Sequence, residues 1–63
     1  MPVVKIDMWE GRPRKKKEKL IQNVTKAVSD SLGCPKEDVT VILSDVSKDN
    51  WGCGGVQASR LKK

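Results

Sequence analysis

The chain has 63 residues, 37% of them hydrophobic, a formal net charge of +5, no histidine and only two aromatic residues, both tryptophan. A chain this short builds one small core that barely offsets conformational entropy. Its two cysteines, Cys34 and Cys53, supply neither a disulfide framework nor a zinc pattern, so oligomerisation is left as the expected source of stability, and neither a metal nor a histidine triad is expected.

The first run, Pro2-Val3-Val4-Lys5-Ile6-Asp7-Met8, alternates in character. Val4, Ile6 and Met8 fall on one face and Val3, Lys5, Asp7 and Trp9 on the other, which predicts a strand with one packed face. Glu10-Gly11-Arg12-Pro13 breaks it, and because proline suits a first helical position, a helix is expected from Pro13 or Arg14. Leu20, Ile21, Val24, Ala27, Val28 and Leu32 then recur at spacings of three and four, making one apolar stripe opposite most of the lysines. Gly33 stops this helix and Pro35 blocks its continuation. A second strand, rich in β-branched residues, follows at Val39-Thr40-Val41-Ile42-Leu43-Ser44.

Strand, long crossover, strand predicts a β-α-β unit with parallel strands. The segment from Val46 to Asn50 reads as polar. Trp51-Gly52-Cys53-Gly54-Gly55-Val56 reads as a tight hairpin, and it lacks the ending and the strand-to-helix setting of a phosphate-binding loop. A loose basic tail is expected after Ala58, from about Arg60 to Lys63. The whole is one α+β domain over residues 1–63. Two strands and one helix are too few for a finished domain, so pairing with further copies should extend the sheet and bury its other face.

No apolar run approaches the ~18 residues that cross a bilayer, and the N-terminus lacks signal-peptide character, so a cytoplasmic protein with no membrane partner is expected. The positive charge clusters at Arg12, Arg14, Lys15, Lys16, Lys17 and Lys19, and again at Arg60, Lys62 and Lys63. Stacking aromatics do not interleave with it, so a solvated face is expected, with small anions and not nucleic acid as the target.

Asp30, Glu37, Asp38 and Asp49 read as helix-end and turn residues, and no pair of carboxylates is spaced for acid–base work. Elimination leaves the N-terminus. If Met1 is removed, Pro2 presents a secondary amine; an ordinary α-amino group titrates at about 7.7 to 8.0, a prolyl amine somewhat higher, and burial beside cations lowers either. A neutral amine near pH 7 could then move protons.

Met-Pro at the start, Glu10-Gly11-Arg12 after the first strand, the amphipathic helix and Trp51-Gly52-Cys53-Gly54-Gly55 together resemble the 4-oxalocrotonate tautomerase family, in continuous register over about the first 59 residues. The resemblance implies β-α-β subunits assembled into an oligomer, commonly a hexamer built as a trimer of dimers. It also implies cofactor-free interconversion of enol and keto forms of a small unsaturated 2-hydroxy or 2-oxo carboxylic acid. By the same resemblance Pro2 shuttles the proton and Arg12 binds a substrate carboxylate. Trp51 shapes the pocket, although an interface anchor is an equal reading of it, and Trp9 carries a similar ambiguity with core packing favoured.

Thr40 stands where well-known members carry a second arginine that stabilises the developing enolate. A hydroxyl donates one neutral hydrogen bond and cannot replace a bidentate cation; losing such a stabiliser costs on the order of two to three decades of rate. A substrate with a single carboxylate held by Arg12 is therefore the better expectation. The neighbouring readings are a hydratase or dehalogenase on short unsaturated acids and a non-catalytic oligomeric binding protein.

Overall fold

The computed structural model describes residues 1–61. Of the expected basic tail, Lys62 and Lys63 lie outside these residues, while Ala58–Arg60 close a 3-10 turn. The element order is β1 (Val3–Trp9), α1 (Arg14–Leu32), β2 (Thr40–Val46), β3 (Gly52–Cys53) and β4 (Val56–Gln57), with two further 3-10 turns at Lys36–Asp38 and Lys48–Asn50.

β1 and β2 pair in parallel, from Val3 opposite Thr40 to Trp9 opposite Val46. The pairing is closed at both ends: the Thr40 amide donates to the Pro2 carbonyl and the Glu10 amide to the Val46 carbonyl, each at 3.0 Å. Val4, Ile6, Met8, Val41 and Leu43 are half-buried, as the alternation predicts, and α1 packs across this face through Lys17, Leu20, Val24 and Val28, all half-buried. Asp45 shares that face and pairs with Lys17. β2 runs two residues past the apolar run seen in the sequence, and the carboxylate in that extension is neutralised from the helix.

The helix starts on Pro13, whose carbonyl accepts from the Lys16 and Lys17 amides at 3.0 and 3.2 Å. No side chain caps this end and its first turn holds no acid. It ends at Gly33, whose amide returns to the Ser29 carbonyl at 2.9 Å, while the Ser29 hydroxyl donates to the Cys34 carbonyl at 2.6 Å. β3 and β4 form the expected hairpin. Its turn residues, Gly54 and Gly55, have φ of 62° and 85°, the left-handed pair that a two-residue hairpin loop requires.

Little of this chain is enclosed. Among the described residues only Ala58 is buried, while Val3 (55%), Ile42 (41%) and Leu32 (65%) stand exposed. Val3 and Ile42 lie on the sheet face turned away from α1. The radius of gyration is 14.6 Å, against about 11 Å for a compact domain of this length.

Candidate active site

β1 separates the sequence-predicted site residues into two groups. Pro2 stands at its head, half-buried, and is tied through its carbonyl to Thr40. Arg12 lies beyond its other end. A seven-residue strand at about 3.3 Å per residue spans about 20 Å, so a single chain does not bring Pro2 and Arg12 together. It brings Pro2 to Thr40, and Arg12 to Trp9.

The second group is well organised. Gly11, with φ of 114°, turns the chain sharply out of β1 so that the exposed Arg12 folds back and its Nη1 donates to the Trp9 carbonyl at 3.0 Å. Trp9 meets Trp51 edge to face, with ring centroids 6.1 Å apart and planes at 81°, the arrangement favoured by the ring quadrupoles. Trp9 Nε1 is buried and finds no acceptor. Lys48 sets its ammonium over the Trp9 ring, 4.7 Å from its centroid.

Local structure explains why these groups converge. Trp51 follows the 3-10 turn at Lys48–Asn50, and its amide bonds to the Lys48 carbonyl at 3.4 Å. Residues three apart eclipse in such a turn, which sets Lys48 and Trp51 on one side. The turn is braced by the Ser47 hydroxyl, which accepts from the Asp49 amide at 3.2 Å, and by Gln57 Nε2, which donates to the Asp49 carbonyl at 2.9 Å. From the hairpin side the Ala58 amide donates to the Trp51 carbonyl at 2.6 Å. In sequence Lys48 sits in a polar link, and its three-residue spacing from Trp51 is the only signal of its place beside the tryptophans.

Among the described residues no cluster of potential metal ligands forms, and no helix is long and apolar enough to cross a membrane. Two hollows lie along α1, one lined by Lys15, Lys16, Lys19, Leu20 and Asn23; neither of these borders Pro2. The titrations that shift belong to an exposed helical pair remote from the site. The Lys26–Asp30 hydrogen bond, followed by their mutual attraction, lowers the Asp30 pKa and raises that of Lys26.

The family model described as tautomerase enzyme matches residues 2–60. A 2-hydroxymuconate tautomerase of Comamonas testosteroni is 43% identical over 61 residues, covering 97% of each chain. Among solved structures, a chain from a study of the 4-oxalocrotonate tautomerase isozymes of Methylibium petroleiphilum superposes with a TM-score of 0.93 at 44% identity, covering 98% of this chain and 100% of that one. A chain of the heterohexamer 4-oxalocrotonate tautomerase from Chloroflexus aurantiacus gives 0.93 at 27% identity with the same coverage. The protein is thus an enzyme of the isomerase class. It belongs to the tautomerases, within the 4-oxalocrotonate tautomerase family.

Proposed function

We propose that this tautomerase converts the enol of a small unsaturated 2-hydroxy carboxylic acid to its keto form, with Pro2 as the base and acid. The observation that supports this reading is the position of Pro2 at the head of β1, where the family match begins. With Met1 in place the Pro2 nitrogen is an amide without useful basicity. With Met1 removed it is a secondary amine. The amine takes the enol O–H proton as the oxygen lone pair closes the carbonyl. The displaced carbon–carbon π pair then takes the proton from the ammonium at the carbon of the former enol or dienol farthest from the new carbonyl, restoring Pro2. Arg12 holds the carboxylate with charge-assisted hydrogen bonds, and the Trp9–Trp51 pair walls the apolar part of the substrate.

Because Pro2 and Arg12 are about a strand length apart within one chain, this reading requires that the Arg12 end of one copy meet the Pro2 end of another. The open sheet face, the near-absence of a buried core and the extended shape support assembly, and a hexamer is the form we infer, in a cytoplasmic setting. The relatives' substrate, 2-hydroxymuconate, is the first compound to assay, beside a 2-hydroxydienoate with one carboxylate. Loss of enol absorbance is followed for the wild type and Pro2→Ala, with intact mass measured on the same samples. The expected result is a processed wild type and a Pro2→Ala variant slower by about two decades or more. Undiminished turnover by Pro2→Ala, or by protein that retains Met1, overturns the assignment.

A further inference from the structure

Two cations flank Trp9, and neither is neutralised. Among the described residues the ion pairs are Lys17–Asp45 and Lys26–Asp30. Arg12 spends one guanidinium nitrogen on a main-chain carbonyl, which leaves its charge intact. Lys48 rests on a ring face, where an ammonium in contact with water is held only weakly. Both project from braced turns: Arg12 from the Gly11 turn out of β1, Lys48 from the 3-10 turn locked by Ser47 and Gln57. One cation bonded to the Trp9 main chain and one over its ring make a place for an anion with an apolar body, in which the oxygens meet the cations and the carbon chain meets the indoles.

Building on the enol–keto reading above, we propose that Lys48 is a substrate-binding residue, the second cation of the carboxylate-anchoring end of the site. On binding it leaves the Trp9 face and shares with Arg12 the carboxylate of the substrate. A charge-assisted hydrogen bond to a carboxylate is stronger than an exposed contact with a ring, so the exchange favours the bound state. This assignment gives a chain with Thr40 in place of the family's second arginine a further positive charge, but at the Arg12 end and not at the Thr40 end of the strand. Its contribution therefore falls on binding affinity and selection for acids, not on stabilisation of charge at the reacting oxygen.

The chain's two tryptophans both belong to this cluster, so their fluorescence reports its occupancy without turnover. The experiment titrates the full-length protein with hexanoate, and with neutral hexanamide as control, in the wild type, Lys48→Met and Lys48→Arg. Far-ultraviolet circular dichroism and light scattering check fold and assembly, and Lys48→Gln stands in if the methionine variant fails them. Removing the ammonium is expected to weaken hexanoate about tenfold, the loss of one charge-assisted contact. Lys48→Arg should recover most of this and hexanamide should not respond. The proposal is overturned if wild type binds no hexanoate, if hexanoate binds the Lys48→Met protein as tightly as wild type, or if hexanamide weakens in parallel. The enzymatic reading is judged separately: full turnover by Pro2→Ala rejects the base assignment, and the hexanoate titration still decides on Lys48.

Discussion

Trp9 concentrates three kinds of interaction in one side chain: an edge-to-face contact with Trp51, a ring face under Lys48 and a buried N–H without an acceptor. An orphaned donor costs about 1 to 3 kcal/mol, which opposes the gain from burying the indole. Trp9→Phe keeps a ring in place and deletes the N–H, so its loss of area is offset and stability should stay within about 1 kcal/mol of wild type. Trp9→Ala removes the ring contacts as well and should cost about 2 kcal/mol, less than a fully buried tryptophan because the residue is half-exposed. Denaturant midpoints at one fixed protein concentration check both values. A Phe variant as unstable as the Ala variant would mean that the N–H has a partner in the assembled protein.

α1 is held by its packing against the sheet in spite of its own first turn. Arg14, Lys15, Lys16 and Lys17 bring positive charge to the end where the helix macrodipole is already positive, and no acid or side-chain cap relieves it. Lys17 is compensated by Asp45 across the packed face; Lys15 and Lys16 are exposed. Lys16→Glu should therefore raise stability by about 0.5 kcal/mol at low ionic strength, with the gain shrinking as salt is added. Thermal melts of both proteins across a salt series measure it, and a destabilised variant would show that Lys16 is committed to a contact between copies.

At the scale of the whole molecule the single chain is an incomplete body. Among the described residues a core reduced to Ala58 and principal extents of 42 × 24 × 16 Å do not close a folding balance that needs most apolar surface buried. Ile42 sits on the sheet face opposite α1, 41% exposed in the single chain. On a solvated face its replacement by lysine would be nearly neutral. On a face covered by another copy it buries an unpaired charge, so Ile42→Lys should lower the assembled mass in sedimentation and make melting strongly dependent on protein concentration. A variant that melts and sediments as wild type does would place the interface elsewhere.

Alternation at Val4, Ile6 and Met8, the stripe from Leu20 to Leu32, the stop at Gly33 and the paired glycines of the hairpin determined the β-α-β order and the hairpin, because each is a local rule of strand, helix or turn geometry. Pro2 stands out in sequence by elimination of other proton carriers and by family register, Arg12 through family register alone. The end of β2 was not legible: the charge of Asp45 interrupts the apolar alternation, and its counter-charge, Lys17, is 28 residues away. Nor was Lys48, which sits in a 3-10 turn while its neighbour Trp9 ends β1. Only the tertiary structure decided that Pro2 and Arg12 lie at opposite ends of one strand and that Arg12, Lys48 and both tryptophans share one end. Parallel pairing fixes distance along a strand in a way that no local pattern records, since it depends on which residues meet after the chain has crossed over.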